Sequence, residues 1–304
     1  MVGGQRVVYG VTRYLVTGGT GQLAQALGRA AGPLVELVGR PMFDLDKPET
    51  LAALFAKGIP DIVINTAAWT AVDAAEASPD AASRANAEGP AVLAALCRQH
   101  GTRMIHISTD YVFDGTLGVP YRETDPTSPT GVYGATKLRG EHAVLAAMPD
   151  AVVLRTAWVY AETGKNFLRT MLAVSKRTNT LRVVADQRGC PTNADDLASV
   201  ILSVADRMLT IGGAPGGVYH AAGSGSTTWH GFAEAIFMTS RRYGWPAPEV
   251  HAISTADWPT PARRPPDSRL NCDLLAQTFG VRLPDWEPSL ERAVTALCSS
   301  EPPL

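Results

Sequence analysis

The chain has 304 residues, 45% apolar and 18% charged, which is long enough to bury a real core in one large or two modest domains and excludes a disordered or fibrous chain. Lys and Arg number 27 against 29 Asp and Glu, a formal charge of −2, so no broad basic surface for nucleic acid or anionic membrane is implied. Cys97, Cys190, Cys272 and Cys298 show neither zinc-site spacing nor disulfide-scaffold density, and Arg6 and Arg13 interrupt the N-terminal apolar stretch. A reducing cytoplasm without a signal peptide or membrane span is therefore expected.

Residues 1–12 read as an N-terminal extension to a domain that starts near Arg13. From there, predicted strands at Tyr14–Thr17, Leu34–Val38, Asp61–Asn65, Arg103–Ser108 and Ala151–Thr156 alternate with predicted helices. The helices are expected at Gly21–Ala31, Pro48–Lys57, within Pro79–His100, and at Tyr133–Met148. The strands are continuous apolar runs, so helices should cover both sheet faces. That is an α/β fold with a doubly wound parallel Rossmann sheet, whose ligand crevice lies beyond the carboxyl ends of the strands. After about Ala157 the rhythm loosens into a helix near Lys165–Ser175, a strand Leu181–Val184, a helix Asp195–Leu209, a strand Val218–His220 and a helix from Thr228. The Pro-rich stretch Trp258–Pro266 reads as an irregular loop. The expected division is a dinucleotide-binding domain over 13–160 and a smaller substrate-binding lobe over 161–304, with a return strand near 218–220.

Gly18-Gly19-Thr20-Gly21-Gln22-Leu23-Ala24 follows a predicted strand and opens a predicted helix. In that context the glycines permit a tight turn and let backbone amides approach a pyrophosphate at the positive end of the helix. Ala24 in the third position suits helix–sheet packing. The second strand ends at Val38-Gly39-Arg40, without the acidic residue that would hold the ribose hydroxyl of NAD. Arg40 can pair with the 2′-phosphate of NADP or remain a solvated arginine in a turn. Asp44 sits where a carboxylate could accept from the adenine amino group, and Asp46 reads as a cap for the helix at Pro48.

Ser108-Thr109-Asp110-Tyr111 ends one strand, and Tyr133-Gly-Ala-Thr-Lys137 opens the following helix. Four residues apart, Tyr133 and Lys137 share a helix face, and a lysine ammonium beside a phenol is expected to lower the phenol's pKa toward working pH. Such a phenol exchanges a proton with a carbonyl oxygen, and the lysine can also hold the nicotinamide ribose.

The ordered set Gly18–Leu23, Asn65-Thr-Ala-Ala68, Ser108-Thr-Asp-Tyr-Val-Phe113 and Tyr133-x-x-x-Lys137 resembles the extended short-chain dehydrogenase/reductase superfamily. Trp69-Thr-Ala-Val-Asp73-x-Ala-Glu76, Arg155-Thr-Ala-Trp158-Val-Tyr160, Asn166-Phe167, Asp186-Gln187, Gly189-Cys-Pro191-Thr192, Thr227-Thr-Trp229-His230, Arg264-Pro265 and Ser268-Arg269-Leu270 narrow this to a resemblance to the dTDP-4-dehydrorhamnose reductase family, from about Arg13 to Trp286. The resemblance implies a cytoplasmic oxidoreductase that makes dTDP-L-rhamnose for cell-surface polysaccharide, using NADPH, with NADH also accepted. Gly18, Thr20, Gly21, Gln22, Leu23, Arg40, Asp44, Leu45, Ala67, Ala68, Trp69 and Thr70, with Tyr133 and Lys137, would contact the dinucleotide. Tyr133 would donate the proton, Lys137 would support it, and Thr109 would position the carbonyl. Asp110, Trp158 and Asn166 would face the sugar.

Other readings of these residues stay open. Trp158 is by composition a core aromatic, His106 a satisfied interior residue and His230 part of a helix start. Arg264 and Arg269 either clamp the substrate pyrophosphate or are exposed loop arginines. A nucleotide-sugar epimerase or dehydratase with retained NAD shares the fold, but dehydratases resemble one another in an Asp-Glu pair after the strand-end threonine, and here Tyr111 follows Asp110. A non-catalytic NADP-binding regulatory subunit needs no proton donor, so the Thr109, Tyr133 and Lys137 set argues against it. Family members of one kind bridge subunits with magnesium through glutamates; the matching position is Gln25, a poor hard-cation ligand, so no metal is expected, and a homodimer stays open because the sequence does not reveal the oligomeric state.

Overall fold

The computed structural model describes residues 13–56, 58–210 and 215–300; the expected extension over 1–12 lies outside them, as does Lys57 at the end of a predicted helix. In chain order the first half runs β1 (Tyr14–Thr17), α1 (Gln22–Ala31), β2 (Val35–Val38), α2 (Pro48–Ala56), β3 (Ile62–Asn65), α3 (Val72–Ala77), α4 (Pro79–Ser83), α5 (Gly89–His100), β4 (Arg103–Thr109), α6 (Val132–Ala147) and β5 (Val152–Thr156). The second half runs β6 (Val159–Tyr160), α7 (Phe167–Ser175), β7 (Thr180–Val184), β8 (Arg188–Gly189), β9 (Thr192–Asn193), α8 (Ala194–Leu209), β10 (Gly217–His220), β11 (Thr227–Thr228), α9 (Trp229–Ser240), β12 (Glu249–Ile253), α10 (Asp273–Phe279) and α11 (Trp286–Ser300).

Six strands form one parallel sheet in the order β10-β5-β4-β3-β1-β2. Strand side chains alternate between two buried layers. Tyr14 and Val16 of β1 point with Ile62 and Ile64 toward α1 and α8, whereas Leu15 and Val63 point toward α2, α5 and α6. Burial on both faces is why the strands read as continuous apolar runs, and the expected doubly wound sheet is present. The chain moves from β1 outward to β2 and then returns to β3 on the other side of β1, so the crevice opens above the carboxyl end of β1.

Several boundaries shift for local reasons. Leu34 ends a 3-10 turn that starts Gly32-Pro33, because Pro33 lacks the N–H a strand ladder uses, and β2 begins one residue later. The stretch predicted as part of one helix is interrupted by a π-helical turn, Arg84–Glu88, between α4 and α5. That turn buries Asn86, whose side chain accepts from the Trp69 amide at 2.8 Å and donates to Trp69 O at 3.2 Å and Thr136 Oγ1 at 3.0 Å. It ties the loop after β3 to α6. Helices α3, α10 and α11 were not expected from the sequence.

The second half contributes to both layers. Helix α8 packs its buried Leu197, Ile201 and Val204 onto the sheet face beside α1, and β10 completes the sheet. The remainder builds its own core from Tyr160, Leu168, Phe232, Ile236, Trp286 and Leu290. Among the described residues no helix is long and apolar enough to cross a membrane.

Candidate active site

The carboxyl ends of β1, β3, β4 and β5 open onto a cleft of about 580 Å3 lined by Thr20, Gly21, Gln22, Leu23, Thr66, Ala68, Thr70, Thr109, Asp110, Tyr133, Lys137, Trp158 and Trp229, among others. The glycine loop forms one end. Gly18 has φ +75°, and a Cβ there would sit 3.0 Å from the Cα and N of Ala67, so the turn and its contact with the β3 loop both demand glycine. Gly21 is the N-cap of α1 and offers no side-chain cap, which leaves first-turn amides for an anion. Gln22 Nε2 donates to Val159 O at 2.9 Å, stitching this loop to the start of the second half.

Thr109 and Tyr133 form the other end. Thr109 Oγ1 donates to Asp110 Oδ1 at 3.1 Å and accepts from the Tyr111 amide at 3.2 Å. The Thr109 hydroxyl is close enough to the Tyr133 phenol to favour its ionised form. Burial raises the Tyr133 phenol to about 12, opposed by the Thr109 hydrogen bond and reinforced by the Asp110 charge. The expected lowering of this pKa by Lys137 is therefore corrected. Lys137 Nζ instead donates to Ile107 O at 2.6 Å and lies 3.4 Å from His106 Nε2, so the strand and not the phenol holds the ammonium. Burial pulls Lys137 down to about 8 while Glu141 pulls it up. His106, fully buried and held well below its ordinary pKa by desolvation and by Lys137, is neutral. It lies on a buried chain in which Thr17 Oγ1 donates to Asn65 Oδ1 at 2.6 Å and Asn65 Nδ2 sits 2.9 Å from His106 Nδ1.

Helix α6 is fixed by Glu141, which the sequence reading did not name, and by Ser108, Arg155 and Glu76, which it quoted within motifs without giving them this role. One turn beyond Lys137, Glu141 accepts from Ser108 Oγ at 2.5 Å and from Arg155 Nε at 3.0 Å and Nη2 at 2.7 Å. Arg155 and Glu141 are 4% and 1% exposed, and the guanidinium stacks 5.1 Å from the Phe113 ring. At the other end, Glu76 Oε1 accepts from the Val132 amide at 2.7 Å and caps the helix that carries Tyr133. The motifs marked Ser108 and Arg155, but nothing in their spacing paired them with Glu141.

Other expected site residues lie as follows. Asp110 is buried, its Oδ2 has no hydrogen-bond partner among the described residues, and burial raises it to about 6 against hydrogen bonds from Ser268 and Thr109. Arg40 and Asp44 face each other, Nε to Oδ1 3.3 Å, with Arg40 69% exposed. Asp46 pairs with Arg84 at 2.8 Å. Leu45 is buried against α2 and α5. Trp69 Nε1 donates to Ala71 O at 3.2 Å. Asn166 caps α7 by accepting from the Arg169 amide at 3.1 Å, and its Nδ2 donates to Ala161 O at 2.8 Å and Gln22 Oε1 at 3.3 Å. Arg264 makes a two-pronged pair with Asp73, 3.0 and 2.8 Å. Arg269 pairs with Asp267 at 2.6 and 2.8 Å and borders a separate cavity of about 260 Å3. The structure thus brings neither arginine into the main cleft. Gln25 donates to Gly19 O, and His230 lies 3.2 Å from Glu234 one turn along α9. Lys165 and Trp229, which do line the cleft, were not expected there.

The arrangement can hold a carbonyl oxygen between two hydroxyls and protonate it. Replacing Tyr133 with Phe is expected to lower kcat by about 10²–10⁴-fold at saturating substrate, the usual worth of a positioned general acid, and a variant with half the wild-type kcat would remove Tyr133 from that role. If turnover needs an ionised Asp110 and a protonated Lys137, kcat/KM is expected to plateau between about pH 6 and about pH 8. Asp110→Asn should abolish the acidic limb while sparing the alkaline one; an unchanged profile in the variant would show that Asp110 does not govern it.

The chain matches the RmlD substrate binding domain family over residues 12–299. It is 47% identical over 288 residues to the dTDP-4-dehydrorhamnose reductase of Sinorhizobium fredii, covering 94% of this chain and 97% of that one. The Escherichia coli K12 protein of the same description is 40% identical over 291 residues, covering 93% and 97%. Among solved structures, dTDP-4-dehydrorhamnose reductase from Bacillus anthracis in complex with NADP superposes with a TM-score of 0.87 at 31% identity, over 94% of this chain and 99% of that one. With the glycine loop, the Thr109–Tyr133 pair and α6 in one cleft, and these matches along nearly its whole length, the chain belongs to the dTDP-4-dehydrorhamnose reductase family.

Proposed function

We propose that the protein reduces the C4 ketone of dTDP-4-dehydro-L-rhamnose with NADPH, giving dTDP-L-rhamnose. The observation that carries this is that Thr109, Tyr133 and Lys137 line the same cleft as the glycine loop. The fit of a dinucleotide rests on the Gly18 turn against Ala67 and on the side-chain-free N-terminus of α1. When bound, NADPH supplies the hydride that reaches the ketone carbon.

The chain's own residues do the rest. Turning its one proton from Asp110 Oδ1 to the substrate, the Thr109 hydroxyl orients the carbonyl oxygen, and Tyr133 delivers its proton as negative charge develops there. Because burial keeps the phenol protonated across the neutral range, it enters each turnover as an acid. Lys137, anchored by Ile107 O, offers its remaining donors to the ribose and a positive charge to the oxygen. Asp110 Oδ2 accepts a sugar hydroxyl, since a buried carboxylate oxygen without a partner is costly until one arrives. Lys165 brings a cation to the cleft, while Arg264 and Arg269 reach the diphosphate only by leaving Asp73 and Asp267.

Residues 13–160 with α8 and β10 serve the dinucleotide, and the remaining second half serves the sugar. The enzyme works in the cytoplasm, as a homodimer, without a metal requirement. Turnover is tested by mixing purified protein, NADPH and dTDP-4-dehydro-L-rhamnose: one NADPH oxidised per dTDP-L-rhamnose formed is expected, whereas conversion without net NADPH oxidation would mean an epimerase.

NADPH should be preferred to NADH only modestly. Arg40 is 69% exposed and already shares charge with Asp44, so its contact with a 2′-phosphate is screened to about 1 kcal/mol or less, a preference of roughly fivefold at most. The ratio of kcat/KM for the two cofactors should fall toward one in Arg40→Ala; a ratio that does not change would place Arg40 outside the cofactor site.

A further inference from the structure

Trp158 has φ +47°, the one positive value at a non-glycine position among the described residues. Side chains of L-residues adopt that backbone region only when their surroundings hold them there. Both faces of the indole show what does. On one face Trp229 stacks in parallel, centroids 3.5 Å apart and planes 7° from coplanar. On the other lies Gly189, where a Cβ would fall 2.3 Å from Cε2, 2.5 Å from Nε1 and 2.7 Å from Cζ2 of Trp158. An approach in the ring plane would bring Nε1 nearer than Cε2, so Gly189 covers a face; no Trp229 atom comes as near to that Cβ, so it is the opposite face.

One ribbon builds both walls. Strand β11 pairs antiparallel with β8, Thr227 opposite Gly189, and Trp229 follows directly on β11. Behind Trp229, Phe167 at 4.7 Å backs the stack with the core of the second half. A sugar that stacks on an indole needs a free face; Trp229 takes one face of Trp158, and Gly189 crowds the other at Cε2, Nε1 and Cζ2.

Building on the reading of the cleft as a sugar site, we infer that Trp158 is a clamped wall that meets the sugar with the rim of its ring, and that Trp229 and Gly189 are positioning residues that set where the sugar stops relative to Thr109 and Tyr133. The clamp is built wholly from the chain's own residues, so it orients the sugar without recruiting a further group.

The test combines near-UV circular dichroism with kinetics. The wild type should show an exciton couplet from the Trp158–Trp229 pair that Trp229→Phe lacks, and it should persist at saturating dTDP-L-rhamnose; loss of the couplet on binding would make Trp158 a platform that opens, and overturn the clamp. Trp229→Ala should raise the KM for dTDP-4-dehydro-L-rhamnose at least fivefold and leave the NADPH Kd within twofold, with Trp229→Phe recovering most of the loss. Gly189→Ala, which displaces the ring from its opposite face, should raise the same KM and keeps the test alive should Trp229→Ala fail to fold. Folded Trp229→Ala and Gly189→Ala enzymes with the sugar KM within twofold of wild type would overturn the proposal, as would failure of both to fold. A wild type that leaves this sugar unreduced overturns the substrate reading itself, and the clamp's assigned role with it.

Discussion

The buried pair between Arg155 and Glu141 is the constraint on which the site depends. It joins β5 to α6, and Ser108 on β4 adds a third anchor, so the helix carrying Tyr133 and Lys137 has one register against the strand ends. A buried ion pair gives little net stability over an apolar alternative, but removing one partner strands a charge and costs about 3–5 kcal/mol. Its value here is positional. Slide α6 by one residue and Glu141 loses the guanidinium while Tyr133 leaves Thr109.

Around that anchor the site is assembled by desolvation more than by opposed charges. Burial holds the Tyr133 phenol up and the Lys137 amine down, and it keeps His106 neutral. Each group is thereby left in the state that the proposed carbonyl reduction would use: an acid that keeps its proton until charge appears, and a cation near enough to neutrality to feel its neighbours. The nearly balanced net charge is consistent with this, because several of the chain's cations are committed internally. Arg155, Arg264 and Arg269 answer Glu141, Asp73 and Asp267. The cleft is left with Lys137 and Lys165 among its lining lysines.

Much of the fold was legible in the sequence because its signals are local. Continuous apolar strands follow from burial on both faces, the glycine run from a turn pressed on Ala67, and Tyr133 and Lys137 from the period of a helix. Trp158 was legible as a residue of interest by resemblance, but not as a ring held between Trp229 and Gly189. The short helix α3 and the π-turn at Arg84–Glu88 escaped because their stability comes from what they pack against, and a six-residue helix has no amphipathic period of its own.

By itself the sequence determined the class of fold, the glycine loop and the placing of Tyr133 and Lys137 on one helix face, since each rests on neighbours within a turn or a strand of one another. Only the tertiary structure decided which residues share charge. Lys137 turned toward Ile107 O and His106 rather than Tyr133, Arg264 toward Asp73, Arg269 toward Asp267, and Arg40 toward Asp44. Most of these partners come from other strands or loops, and hydrogen bonds formed on burial depend on which groups meet in space after the core closes. Sequence spacing carries no record of that for residues as distant as Asp73 and Arg264, because the core, packed from side chains all along the chain, sets their distance.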